Sequence, residues 1–339
     1  MSASRPRRGV CLGKFLPPHR GHQYLVDFAR HHCEHLTVLV CTLTREPIPG
    51  ELRFAWMREM FPQSNVRVVH VADDSLPQVP EEHADFWRIW RDVVREHAGE
   101  VEAFYASEPY GGPMAEVLDC EFVPVDIARE LVPVSGTDLR RDAVEHWHML
   151  PDVVRPWFAR KVCLFGPEST GKSTLARDLA RAIGTCYVHE YARPLLDPKG
   201  GKCEPADLPK IALGQAAAED AMLPRCNRVL VTDTDCLTTA IWSDVLFGRV
   251  APVVTELAET RAADLYLLCD VDVPWVDDEQ RFFRDQPVRQ AMFDRFRNAL
   301  ETRGRRYVTI RGSWDERLEQ ARRAVSVLLQ DQGNAFRLR

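Results

Sequence analysis

Two short stretches of this chain have residue types and spacing suited to phosphate chemistry. The first is Gly13-Lys14-Phe15-Leu16-Pro17-Pro18-His19-Arg20-Gly21-His22, and the second is Gly166-Pro167-Glu168-Ser169-Thr170-Gly171-Lys172-Ser173. In the first, glycines let backbone and ligand approach closely, and Pro17 stiffens the turn. His22 falls at the start of an expected helix, whose free N–H groups and positive dipole end attract phosphate. A histidine pair alone is weak, because such pairs are common in solvated loops; here the surrounding Gly and Pro pattern adds weight. The second stretch is GxxxxGK[ST] between an expected strand and helix, a more specific signal. Its backbone N–H groups suit a β-phosphate, Lys172 the β- and γ-oxygens, and Ser173 a Mg2+ ion. A chain carrying both is expected to run two phosphate reactions.

Other residues group around the second stretch. Val229-Leu230-Val231-Thr232-Asp233-Thr234-Asp235 is an apolar run ending in carboxylates, a position where acids hold Mg2+ or activate a hydroxyl. Asp233 is the better metal ligand, since Asp235 also reads as a helix cap. In His189-Glu190-Tyr191-Ala192-Arg193 the carboxylate suits ribose hydroxyls, the ring a base and the arginine a phosphate; a solvated loop is the plainer reading. Trp275 is followed by Arg281 and Arg284, placed where a closing segment neutralises a transferring phosphoryl group. Asp233, Asp235 and Glu190 all remain open as the base. In the first half, Trp87 and Trp90 share one helix face, one for the core and one able to stack on a cationic ring. Arg53 is a weaker candidate for an acceptor phosphate.

These residues need a scaffold, and the apolar pattern supplies one. Strands are expected at residues 8–15, 35–43, 66–71, 103–106 and 121–125, with helices at 20–32, 51–61 and 81–97. After the prolines at 151 and 156 the alternation restarts, with strands at 161–165, 185–189, 227–232, 264–269 and 306–310 and a last helix at 313–330. Short apolar strands separated by helices indicate parallel sheets covered on both faces. The fold class is therefore α/β, two doubly wound domains, with the boundary set at 157/158; residues 197–209 read as a mobile loop. At 339 residues two cores are expected. A net charge of −6 argues against general affinity for nucleic acid or anionic membrane. The ten cysteines form no CxxC pair, and no apolar run approaches the roughly 20 residues of a membrane span, so a reduced, cytoplasmic protein is expected.

The first stretch resembles the HxGH nucleotidyltransferases, whose second signature is matched by Val134-Ser135-Gly136-Thr137-Asp138-Leu139-Arg140. The order of motifs, including PVSGTDLR, WHMLPDVVRPWF, GPESTGKST, HEYARP, VTDTDCLTTAIW and DVPWVDDEQR, is similar to the NadR family over nearly the whole chain. That resemblance implies a Rossmann-like adenylyltransferase followed by a P-loop kinase. The kinase would phosphorylate nicotinamide riboside with ATP, and the transferase would join the resulting mononucleotide to AMP, giving NAD and pyrophosphate. It places ATP on Gly13, Lys14, Phe15, Ser135, Thr137 and Arg140 in one half, and on Gly166 and Glu168 through Thr174 in the other. His19 and His22 would contact the transferring phosphate and leaving group, with Mg2+ assisting. Some family members carry a helix-turn-helix domain. Here a strand is expected from Arg8, so no DNA binding is expected; a homo-oligomer is left open. Two other readings stay alive: a first half that senses NAD without making it, and a kinase–transferase acting on coenzyme A or flavin precursors.

Overall fold

The computed structural model of the chain describes residues 5–273 and 285–331. They form two compact units that divide between Val154 and Arg155. The first contains β1 (Arg8–Gly13), α1 (Arg20–His32), β2 (His35–Thr42), α2 (Gly50–Met60) and β3 (Val66–Ala72). It continues with α3 (Phe86–Ala98), β4 (Ala103–Ala106), α4 (Gly111–Leu118), β5 (Glu121–Pro124) and α5 (Gly136–Arg141). The five strands form one parallel sheet in the order β3-β2-β1-β4-β5. Alternate side chains of the strands feed opposite faces. Cys11, Val38 and Val40 pack with Leu25, Val26 and Met57 of α1 and α2. Val10, Leu39 and Cys41 pack with Trp90, Val94 and Met114 of α3 and α4 on the other side. The apolar strands thus reflect burial on both faces.

The second unit contains α6 (Arg155–Phe158), β6 (Arg160–Phe165), α7 (Lys172–Ala182), β7 (Tyr187–Val188), α8 (Ala192–Leu196) and α9 (Asp207–Met222). Then come β8 (Val229–Asp233), α10 (Cys236–Phe247), α11 (Pro252–Thr260), β9 (Leu265–Cys269), α12 (Gln286–Glu301), β10 (Tyr307–Ile310) and α13 (Trp314–Gln330). Its parallel sheet runs β10-β9-β6-β8-β7. Cys163, Phe165, Tyr266 and Leu268 face α9 to α12, while Val162, Leu164, Leu267 and Cys269 face α7 and α13. In each sheet the strand order reverses beside the first strand, and such a switch point opens a crevice at the carboxyl ends of the strands.

Two expectations are corrected. The expected helix 81–97 is a 3-10 turn, Pro80–Glu82, and then α3 from Phe86, because the chain straightens at His83 with φ −153°. The segment 197–209 is not a plain loop: Asp197–Lys199 is a 3-10 turn, α9 begins at Asp207, Lys199 Nζ reaches Asp207 at 2.5 Å, and the Glu204 N–H donates to the same carboxylate at 3.0 Å. The units divide between Val154 and Arg155, beside the expected boundary, where α6 packs on the turn Leu223–Arg225 of the second unit. Among the described residues, no helix is long and apolar enough to cross a membrane.

Candidate active sites

In the first unit β1 delivers Gly13 to the crevice beside β4, and the histidine stretch then turns into α1. His19 is the N-cap: its Nδ1 accepts the Gly21 N–H at 3.1 Å and the His22 N–H at 3.4 Å. An accepting Nδ1 leaves the proton on Nε2, so the far side of the ring is a donor. Gly21 has to be glycine, since a Cβ there would sit 2.9 Å from the His19 ring. The His22 ring stacks on His19 at 3.7 Å between centroids, and Phe15 presents its edge to His22 at 4.9 Å. Burial, reinforced by the Arg129 charge, lowers the His19 pKa to about 3. Burial, then His19 and Arg129, depress His22 well below its usual value. Both rings are therefore neutral at physiological pH. His22 Nδ1 is buried and has no hydrogen-bond partner among the described residues, an orphan that a polar group of a ligand can satisfy.

The pair opens on a cleft of about 680 Å3 that also takes in Lys14, Thr137 and Arg140. The second signature is built onto the first. Arg140 donates to Leu16 O at 2.5 Å and to Thr137 Oγ1 at 2.8 Å, and a Cβ on Gly136 would lie 2.7 Å from Leu16 O. Ser135 lines the same cleft, but its hydroxyl is engaged with Asp138 in the box that caps α5. Trp90 is buried, its Nε1–H donating to Pro77 O at 2.9 Å, while the half-buried Trp87 shares the cleft wall with it. Arg53 is corrected. It is fully buried and donates to Ile48 O at 3.1 Å, to Lys14 O at 2.6 Å and to the Glu46 carboxylate. Glu46 also pairs with Lys14 Nζ at 3.2 Å, so Arg53 aims Lys14 instead of meeting a substrate. Arg129 was missed by the sequence reading. Its loop is folded by Asp126, whose carboxylate accepts the N–H groups of Glu130, Leu131 and Val132 at 2.9–3.1 Å, and Arg129 reaches the cleft wall beside Glu108.

In the second unit the loop after β6 turns into α7 through three residues of positive φ: Gly166 at 129°, Ser169 at 57° and Gly171 at 81°. A Cβ on Gly166 would meet Cys269 O at 2.9 Å, so only glycine fits. Thr170 Oγ1 and Lys172 Nζ both donate to Pro167 O, at 2.9 and 2.7 Å. From outside, two buried arginines grip the loop: Arg289 reaches Ser169 O at 3.4 Å and Arg317 reaches Thr170 O at 3.2 Å. Residues 168–174 then form one wall of a cavity of about 200 Å3.

The rest of that cavity comes from Glu190 and Arg193 after β7, Gln215 of α9, and Thr238 and Trp242 of α10. Tyr191, expected against a base, has its ring over Gly214, where a Cβ would be only 2.0 Å away, and is not among the residues lining the cavity. Asp235 is corrected also. It caps α10 through the Thr238 N–H at 3.0 Å, accepts the Tyr266 hydroxyl at 2.8 Å, and lies buried outside the cavity wall. Burial pushes its carboxyl pKa up. Asp233, paired in register with Leu164 of β6, is buried with its Oδ1 lacking a hydrogen-bond partner among the described residues. An unsatisfied carboxylate oxygen at the end of the strand beside the loop fits a Mg2+ ligand with Ser173, because Mg2+ takes few protein ligands besides water and phosphate. Trp275, Arg281 and Arg284 lie outside the described residues. Gln215 had no motif to reveal it, and Thr238 and Trp242, inside the VTDTDCLTTAIW stretch, were given no role; the cavity lining brings the three together.

A family described as an AAA domain matches residues 161–317. The chain is 29% identical to the trifunctional NAD biosynthesis/regulator protein NadR of Salmonella typhimurium, covering 97% of this chain and 86% of that one. It is 31% identical over 297 residues to the protein of the same name from Escherichia coli, covering 80% of this chain and 71% of that one. Two solved structures share the fold. A NadR protein in complex with NAD and AMP-PNP has a TM-score of 0.76 at 22% identity, covering 96% of each chain. A NadR protein in complex with NR has a TM-score of 0.72 at 20% identity, covering 96% of this chain and 97% of that one. With both phosphate motifs in place on this architecture, the chain belongs to the NadR family of NAD-biosynthesis proteins.

Proposed function

We propose that this chain carries out two consecutive steps of NAD salvage. The second unit transfers the γ-phosphoryl group of ATP to the 5′-hydroxyl of nicotinamide riboside. The first unit then joins the mononucleotide to the adenylyl group of a second ATP, releasing pyrophosphate. The observation that carries the reading is the neutral, stacked His19–His22 pair, with an orphaned ring nitrogen, in a chain that also holds a complete GxxxxGK[ST] loop. NAD, AMP-PNP and NR are the ligands named for NadR proteins of the same fold, which supports this substrate set.

In the first unit the 5′-phosphate of the mononucleotide is the nucleophile, so no protein nucleophile is needed. Catalysis is alignment plus stabilisation of charge. The His19 Nε2–H donates to an oxygen of the transferring phosphate, and His22 contacts the leaving pyrophosphate. Lys14, held by Glu46, and Arg140, held by Leu16 and Thr137, flank the triphosphate. Arg129 adds positive charge on the same wall. In the second unit the loop N–H groups and Lys172 bind the triphosphate, and Glu190 meets the riboside at the cavity wall. Ser173 and Asp233 would hold Mg2+, which neutralises charge on the bridged phosphates. Incubating the purified protein with ATP and Mg2+ plus nicotinamide riboside, pantetheine phosphate or riboflavin phosphate tests the substrate class. The riboside alone should yield a dinucleotide, with ADP and pyrophosphate; a dinucleotide from either of the others, with none from the riboside, overturns the assignment.

A further inference from the structure

Trp314 is the first residue of α13 and stays 53% exposed. Its six-membered ring lies on the phosphate loop: a Cβ on Gly171 would fall 2.5 Å from Cη2 and 2.6 Å from Cζ3. Gly171 is thus glycine twice over, once for its φ of 81° and once for this ring. The end of the helix is fixed. Ser313 and Glu316 form a capping box, and the Gly312 N–H donates to Asp272 Oδ2 at 2.6 Å. Arg317, three residues on, is fully buried and donates to Thr170 O at 3.2 Å and Asp270 O at 3.2 Å. The indole is therefore held at a set distance from the loop while much of its surface faces solvent.

The cavity walled by residues 168–174 holds about 200 Å3, below the ~300–1,000 Å3 usual for a single small-molecule site. A space below the single-ligand range does not hold the acceptor nucleoside and the base of the donor together. Trp314 is not part of its wall. Resting on the kinase reading above, we propose that Trp314 is the stacking platform for the base of the phosphoryl donor, a purine nucleoside triphosphate, so that the two substrates bracket the loop from opposite sides. Stacking on an indole face reads the π-surface of a base, and its loss by alanine substitution commonly costs a factor of about 5 to 150 in binding.

Trp314→Ala and Trp314→Phe variants test this by calorimetric binding of ADP and of inorganic tripolyphosphate to the second-unit site, identified as the binding event that Lys172→Ala removes, together with steady-state phosphorylation of nicotinamide riboside. Affinity for ADP should fall about tenfold or more in the alanine variant and return most of the way in the phenylalanine variant, while tripolyphosphate binds as to the wild type. KM for ATP should rise in step, with KM for the riboside unchanged. Unchanged ADP affinity overturns the proposal. An equal loss for tripolyphosphate also overturns it, because Trp314 would then only brace the loop. Wild-type protein that binds ADP but leaves the riboside untouched would refute the kinase reading instead, and the ADP result would still decide the platform.

Discussion

The two jobs assigned to His19 can be separated by substitution. One ring nitrogen, Nδ1, accepts two backbone N–H groups at 3.1 and 3.4 Å and so caps α1. The other, Nε2–H, is the proposed phosphate donor. Asparagine carries a short carbonyl oxygen that can replace the first nitrogen and has nothing to replace the second. His19→Asn should therefore keep most of the cap, whereas His19→Ala should lose about 1 kcal/mol of stability. Both should lose the donor, which by the measure of single oxyanion-hole donors is worth about 3 kcal/mol, or 100- to 1,000-fold in kcat. The assay pairs urea unfolding with pyrophosphate release from ATP and nicotinamide mononucleotide. The account predicts that the rates of the two variants fall together while their stabilities separate. An asparagine variant within about fivefold of the wild-type rate would refute it, since His19 would then act through the helix cap alone.

Further outcomes follow from the same geometry. Asp233→Asn should cut kinase kcat by about two orders of magnitude, because several kcal/mol of charge stabilisation depend on the metal, and leave adenylyl transfer unchanged; an intact kinase would remove Asp233 from the metal site. Arg53→Met should cost about 3–5 kcal/mol in urea unfolding, since Glu46 loses its fully buried partner and keeps only the half-exposed Lys14; a loss under 1 kcal/mol would contradict that network. Stability should also depend on pH through His19. Its folded pKa, about 3, lies below the usual 6.5, so the unfolded chain binds the extra proton first. Stability is then complete above pH 6.5 and lost as pH falls towards 3, by about 2 kcal/mol at pH 5. The titration-free His19→Asn variant is the reference: wild type should weaken relative to it between pH 7 and 5, and a constant difference would mean an ordinary histidine.

The strands were legible because parallel strands buried on both faces read as short apolar runs. The expected strand 103–106 coincides with β4 (Ala103–Ala106) and helix 20–32 with α1 (Arg20–His32). The cradle residues were legible too, since a loop that wraps phosphate needs glycine and lysine at fixed offsets in sequence. What stayed hidden depends on distant packing. Nothing local says that Gly214 leaves a slot for the Tyr191 ring, or that Tyr266 reaches Asp235 from 31 residues away. Arg53 looked like any helix-surface arginine until Glu46, seven residues earlier, and the Lys14 carbonyl were seen to enclose it. Arg129 sits in a loop whose fold comes from one aspartate accepting three N–H groups, a pattern with no periodicity to read. Helix α4 opens on Gly111-Gly112-Pro113, which carries no start signal of its own.

In the proposed order of reactions the second unit acts before the first. The most direct measurement gives the Lys172→Ala variant ATP and Mg2+ with either nicotinamide riboside or nicotinamide mononucleotide, and follows NAD. No NAD should form from the riboside, and the mononucleotide should give NAD at a near wild-type rate. NAD from the riboside at the wild-type rate would contradict that order, and so would loss of NAD formation from both substrates in a variant that remains folded.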